Sequence, residues 1–290
     1  MTTAMPDEAV DLVIQAPDIG TPELKQLARL TAATAIEALP ASNAQAFRLV
    51  QPAVFDAVAS FCAKAGFDFG VVPRSQRLER VRLVAMDMDS TLICIECIDE
   101  IADMLDMKSE VSAITDRAMR GAIDFGESLT RRVALLRGVE ISTLQRVYEE
   151  RLTLSPGAER MLDGFREHGA KTLLVSGGFA FFTERLKERL NLDYTLANTL
   201  EVVEGKLTGR IAGAIVDGVA KANALGNLSR ELRGADGLIV AIGDGANDLP
   251  MLSLADVSVA YHAKPIVRAA TTYAIDRCGL DAALNLFSVN

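Results

Sequence analysis

Of the softer metal ligands the chain carries only four cysteines and two histidines, and neither set is spaced like a site. Cys62, Cys94, Cys97 and Cys278 are too few and too irregular for a disulfide framework in 290 residues. The pair Cys94-Ile-Glu-Cys97 has no second pair beside it, and His168 and His262 lie far apart in sequence, so zinc is not indicated. Positive charge is also short. With 30 Lys and Arg against 39 Asp and Glu, the formal net charge is −9, which argues against nucleic acid as a partner and against a polybasic membrane surface. No apolar run approaches the roughly 18 residues of a membrane helix, and the first 13 residues lack the basic start and apolar stretch of a secretion leader. The expected compartment is the cytoplasm. No repeat or low-complexity tract is evident.

What the chain does have is core: 50% of its residues are hydrophobic and 24% charged. Its length, at roughly 150 residues per domain, suggests one large domain and one smaller. Residues 1–80 read as a small α/β unit, with strands over 11–15, 46–50 and 67–72. Its helices fall over 53–65 and from Thr21, the expected cap, through Pro22 to about residue 39. Residues 81–290 read as a Rossmann-like α/β core built on a parallel sheet. A helical tract over about 97–152 interrupts it after its first strand, as an inserted cap over the active-site edge. Further core strands are expected at 171–178, ending in Ser and two glycines, 199–212 (a two-strand segment), 237–248, closing in acids, 257–260 and 273–276.

The core is organised around Val81-Arg-Leu-Val-Ala-Met-Asp87-Met-Asp89-Ser-Thr91, a buried-strand pattern ending in two carboxylates and two hydroxyls. Parallel sheets bind ligands beyond the carboxyl ends of their strands, so Asp87 and Asp89 arrive where chemistry is done. Alone, such a segment reads equally well as a turn with a helix cap. Three later signals change the balance: Ser176-Gly177-Gly178, Lys221, and Gly243-Asp244-Gly-Ala-Asn247-Asp248. In Cys97 to Met107, Ile98, Ile101, Ala102 and Leu105 fall at helical spacing and leave Asp99, Glu100, Asp103 and Asp106 on a largely solvated face. Glu96, just before that helix and close to the twin aspartates, is harder to assign to solvent. Cys94 and Cys97 open a helix after a strand, so a thiol-redox protein is the rival from another functional class.

The ordered set resembles the haloacid dehalogenase superfamily of aspartate-based phosphatases from about Val81 to the C-terminus. Within it, Asp87 to Glu100, including Glu96-Cys-Ile-Asp-Glu100, is similar to the long bacterial form of the phosphoserine phosphatases. The resemblance implies hydrolysis of O-phosphoserine, completing serine biosynthesis, with Mg²⁺ held by Asp87, Asp244 and the backbone carbonyl of Asp89. It implies Asp87 as nucleophile and Asp89 as general acid and base. Ser176, Gly177, Gly178, Lys221 and Asn247 would hold phosphate oxygens, and Asp248 would orient Lys221 or a water. For the substrate's ammonium and carboxylate it implies Glu96 and Arg132, under an apolar lid of Met119 and Phe125. Spacing alone does not select Arg132 over Arg131. Another small phosphorylated amine is the alternative substrate, and a homodimer is left open. Met88 stands where many relatives carry an aromatic.

Overall fold

A computed structural model describes residues 9–40 and 44–288, with the side chain of Met119 outside the described residues. The chain first forms β1 (Val10–Ala16), α1 (Thr21–Leu30), β2 (Ala35–Leu39), β3 (Gln45–Val50), α2 (Val58–Ala65) and β4 (Asp68–Pro73). These strands make an antiparallel sheet in the order β2-β3-β1-β4. The helix expected to reach residue 39 stops nine residues earlier. Thr31 turns its hydroxyl back onto Leu27 O and Ala28 O, Ala32 takes φ 52°, and Ala35–Leu39 pairs with β3 instead. Ala, Glu and Leu favour a helix, but a ladder to form with β3 outweighs that weak preference. The cap of α1 is Gly20 rather than Thr21.

From β5 (Val81–Met86) the chain passes through four helices, α3 (Cys97–Asp103), α4 (Lys108–Met119), α5 (Phe125–Leu135) and α6 (Ile141–Glu150). It then alternates through α7 (Ala158–Glu167), β6 (Lys171–Phe179), α8 (Ala180–Leu190), β7 (Tyr194–Val203), β8 (Lys206–Ala212), α9 (Gly218–Leu232) and β9 (Leu238–Gly243). The short elements α10 (Leu249–Leu252), β10 (Val257–Tyr261), α11 (Pro265–Arg268) and β11 (Tyr273–Ile275) follow. The seven-stranded order is β11-β10-β9-β5-β6-β7-β8, parallel up to β7, with β8 antiparallel at the edge. β7 begins five residues before the expected two-strand segment. Its first residues, Tyr194 to Leu196, pair with β6 as a parallel core strand.

The chain runs from β5 outward to β6 and β7, then returns to the other flank at β9 and continues to β10 and β11. That reversal opens a crevice beyond the carboxyl end of β5. Alternate residues of the central strands serve opposite faces. Val84, Met86, Leu174, Val240 and Ile242 pack with α7 and α8, whereas Leu83, Ala85, Leu173, Ile239 and Ala241 pack with α9 and α10.

The four-stranded sheet is fastened to the edge of the larger one. Buried Asp68 accepts hydrogen bonds from the amides of Asp276, Arg277 and Cys278 at 3.0, 2.9 and 3.2 Å. Tyr273 Oη donates to Val71 O, and Arg48 Nη2 donates to Phe287 O. Asp68→Ala leaves three amides without their acceptor. A loss of about 2–4 kcal/mol is expected, at about 1 kcal/mol per bond and more where the acceptor is charged. Urea unfolding within 0.5 kcal/mol of the parent, in the same ~1 kcal/mol currency, would contradict this role. No helix among the described residues is long and apolar enough to cross a membrane.

Candidate active site

β5 ends at Met86, so Asp87 leaves the sheet at the crevice, its amide still bonded to Ile242 O of neighbouring β9. The chain then folds tightly: Leu92 N donates to Asp87 O, Ile93 N to Met88 O and Ser90 N to Ile95 O. Ser90 sits at φ 57°, a left-handed conformation rarely taken by a residue other than glycine. Its hydroxyl donates to Glu96 Oε1 at 2.8 Å.

Lys221, in the second turn of α9, is buried, and its Nζ donates to Asp87 Oδ1 at 2.5 Å and to Asp248 Oδ1 at 2.7 Å. Burial by itself would push the ammonium down, but the Asp87 and Asp248 charges outweigh it and raise it. It therefore stays charged. Asp248 Oδ2 accepts from Gly245 N, so both of its oxygens already have donors, as suits a residue that orients Lys221. Asp244 accepts from the hydroxyl of Thr91 at 3.1 Å.

Asp89 Oδ1 accepts from the Cys97 amide at 2.9 Å. Burial raises its carboxyl above the ordinary range, against the opposing pull of the Cys97 amide, the Lys221 charge and the Ser176 hydroxyl. Asp87 is raised further, first by burial and then by the charge of Asp248, with Lys221 acting the other way. Asp244 is raised to about 6, again by burial first and then by Asp248.

The cause is common to all three. Asp87, Asp89, Asp244 and Asp248 put four carboxylates around the buried Lys221 ammonium, with Lys264 adding its charge only at Asp244, a deficit of positive charge in a desolvated place. Carboxylate oxygens of Asp87, Asp244 and Asp248 lie within 4.8 Å of one another. Hard oxygens, close together and short of a cation, fit a metal ion of the Mg²⁺ type in their chemistry.

Ser176 is buried in β6, and its Oγ accepts from Gly178 N at 2.8 Å. The two glycines are required by close approach. A Cβ on Gly178 would stand 2.6 Å from Asp89 Oδ2, and one on Gly177 would stand 2.7 Å from the Phe125 ring. Phe125, at the start of α5, thus closes over the Ser176 turn. Asn247 lies on the short helical turn Ala246–Asp248, its carboxamide against Gly245.

Seven residues after Phe125 on the same helix, Arg132 is half-buried. Desolvation lowers its guanidinium, and the charges of Asp99, Glu96 and Asp89 resist that shift. Arg131 faces away and pairs with Glu127 on the surface. The structure thereby separates two arginines that the sequence could not. Glu96 is exposed at the mouth of the site. Desolvation of its carboxylate, then the charge of Asp89, raise it to about 7.

Two groups escaped the sequence reading. Asp99, expected on a solvated face, is half-buried, and its charge bears on Arg132 and Glu96. Its position three residues after Glu96, one helical turn on, was the available signal. Glu100 and Asp103 are half-buried too, but they turn to Arg151, and only Asp106 of the four acids is exposed. Thr91 is the other: the sequence placed it in the Asp87 segment but gave it no role of its own. Cys94 and Cys97 are free thiols, and burial with the nearby Asp89 charge pushes Cys97 well above its ordinary value. A redox thiol needs the opposite shift.

A parallel α/β sheet that gathers carboxylates and a buried lysine at its switch point is the framework of an enzyme working through acidic side chains. Residues 84–253 match the haloacid dehalogenase-like hydrolase family, and residues 12–53 match a domain of unknown function. The chain is 49% identical over 226 residues to a phosphoserine phosphatase of Polaromonas sp., covering 76% of this chain and 96% of that one. A probable phosphoserine phosphatase from Vibrio cholerae superposes with a TM-score of 0.83 at 33% identity, over 99% of this chain and 88% of that one. A structure described as a phospho-aspartyl intermediate analogue of phosphoserine phosphatase superposes at 0.66 with 36% identity, over 72% of this chain and 100% of that one. The chain belongs to the haloacid dehalogenase-like hydrolases.

Proposed function

We propose that this chain is a cytoplasmic, Mg²⁺-dependent phosphoserine phosphatase, hydrolysing O-phosphoserine to serine and phosphate in the last step of serine biosynthesis. The observation that carries the reading is the hydrogen bond of buried Lys221 to Asp87, beside a second aspartate, Asp89, that burial keeps inclined to hold a proton. A phosphate monoester dianion repels nucleophiles, so its hydrolysis requires positive charge around the phosphoryl group and a nucleophile fixed in line.

Asp87 attacks phosphorus, the bond to the serine oxygen breaks, and Asp89 delivers its proton to that oxygen. Asp89, now a carboxylate, takes a proton from the water that attacks the aspartyl-phosphate. Phosphate leaves and Asp87 is restored. Lys221, the Ser176 hydroxyl, the backbone of Gly177 and Gly178, and Asn247 stabilise the equatorial oxygens. Asp87, Asp244 and the Asp89 carbonyl would hold Mg²⁺, which when bound supplies positive charge against the phosphate dianion. Asp248 keeps Lys221 aimed.

Glu96 pairs with the substrate ammonium and Arg132 with its carboxylate, a match of planar forks. Phe125 excludes water, with Met119 assigned to the same lid. Residues 81–290 would form the phosphatase unit with its cap at about 97–152. Residues 1–80 would be an added module, and pairing with a second copy through it is read directly by sedimentation.

The test combines substrate choice with pH. Phosphoserine should be cleaved in Mg²⁺ and not in excess chelator, and faster than phosphate esters lacking an amine. Because Glu96 is raised to about 7, it is largely protonated below that pH and cannot pair with an ammonium. KM for phosphoserine should therefore rise as pH falls through about 7. In Glu96→Gln it should be at least roughly tenfold higher and lose this dependence, the scale of one charge-assisted bond. An unchanged KM in that variant would remove Glu96 from the substrate site. A preference for another phosphorylated amine would redirect the assignment.

A further inference from the structure

β6 and β7 lose their common register at the Ser176 turn. Val175 pairs with Leu196, yet the next pair is Phe179 with Asn198. Four residues of β6 are thus spent against two of β7. Ser176 to Gly178, three residues opposite Ala197 alone, leave the ladder, and Gly178 comes up against Asp89. A bulge of this kind leaves backbone groups without partners, and a buried carbonyl left so is costly.

Asn198 fills the gap. It is only 1% exposed, and its Nδ2 donates to Gly177 O at 2.8 Å. The same carboxamide meets both backbone groups of Val216: Val216 N donates to Oδ1 at 2.8 Å and Nδ2 donates to Val216 O at 3.4 Å. A primary amide has two donor hydrogens and one acceptor oxygen, and here all of them are engaged. Val216 immediately precedes Asp217, whose side chain caps α9 by accepting from Ala220 N at 2.9 Å. Lys221 follows within that first stretch of helix. One side chain therefore ties the turn carrying Ser176 to the helix carrying Lys221. Asparagine is disfavoured inside strands, and nothing in packing requires a polar amide at a site this buried.

We infer that Asn198 is a positioning residue for phosphoryl transfer: it fixes the spacing between the Ser176-Gly-Gly turn and the Lys221 helix, so that both close on the same phosphate oxygens. The inference rests on the phosphatase reading above and adds a residue that touches neither substrate nor metal. Displacing either element by about 1 Å costs on the order of 10²-fold in rate when catalysis depends on placed donors.

The test uses Asn198→Asp, which keeps the acceptor for Val216 N but removes both donors, and Asn198→Ser, which is too short to span the two elements. Kinetics are normalised to folded protein by circular dichroism. Phosphoserine and p-nitrophenyl phosphate are compared as substrates, with inorganic phosphate as the inhibitory probe. The expected result is a fall in kcat of about 10–100-fold, by the same factor for both esters. The inhibition constant for phosphate should rise about tenfold, in keeping with one weakened charge-assisted contact, with Mg²⁺ activation unchanged. Turnover per folded molecule within twofold of the parent would overturn the inference, as would failure of both variants to fold, which would make Asn198 a residue of the fold alone. A parent protein that cleaves neither ester would instead sink the phosphatase reading itself.

Discussion

Asp87→Asn should lose turnover by roughly 10⁴-fold or more, the scale of loss when a covalent nucleophile is removed, while the protein stays folded. The two halves of this expectation have separate causes. An amide cannot attack phosphorus at a useful rate, so the first bond never forms. Folding is spared because Asp87 is one of four carboxylates crowded around the buried Lys221 ammonium, and its carboxyl is already raised by burial and by Asp248. Replacing it with a neutral side chain of the same shape relieves repulsion with Asp248 and Asp89. Thermal unfolding in chelator should show a midpoint no lower than that of the parent. Substantial activity in pure Asp87→Asn protein would contradict the assignment, whatever the stability.

Lys221→Met should damage both activity and fold. The ammonium is fully buried and donates to two carboxylates, so its removal leaves Asp87 and Asp248 facing each other with no cation between them. Breaking a buried ion pair from one side costs about 3–5 kcal/mol. At this chain length that corresponds to a fall in melting midpoint on the order of 10 °C. The pH dependence follows from the charges. Without Lys221 the Asp87 carboxyl, already raised by burial, is raised further above its unfolded value, so the folded state binds its proton more tightly than the unfolded one. The variant's deficit should be largest at neutral pH and shrink as pH falls and the carboxyls protonate. Turnover should drop by about 10²–10³-fold, as when one placed donor to a phosphoryl or acyl oxygen is lost. A deficit that grew towards acid would mean Lys221 is not the counter-ion of this cluster.

Much of the candidate site was legible because its residues sit at strand ends, with Lys221, on helix α9, the exception. A run of apolar residues stopping at Asp87, another at Ser176 and a third at Asp244 fixes three points on one edge of a parallel sheet. The order of those strands, β9-β5-β6, follows from the doubly wound connection. Residues whose role depends on facing across the cap were not legible in the same way. Arg131 and Arg132 are equivalent in sequence, and only the rotation of α5, set by Phe125 against Gly177, turns one inward. Asp99 was assigned to solvent because an acid next to apolar helix positions usually lies there. The presence of Arg132 on the facing helix changes that.

The errors in local structure have a similar origin. Residues 31–39 favour a helix by composition but sit where β3 offers a ladder, and tertiary pairing prevails over propensity. The parallel part of β7 was missed because Tyr194 to Leu196 is short and lacks alternation, its partner being a strand buried on both faces. Asn198, a polar residue in the middle of that strand, was the one local signal that the segment had a special neighbour.

The central claim is that the phosphoryl group passes through a covalent bond to Asp87. It is tested most directly by mixing the enzyme with ³²P-phosphoserine, quenching in acid within milliseconds, and mapping the label by peptide digestion and mass spectrometry. The account predicts an acid-stable, base-labile label on the peptide containing Asp87, absent from Asp87→Asn. Label on another residue, or full turnover with no labelled protein at any time, would contradict it.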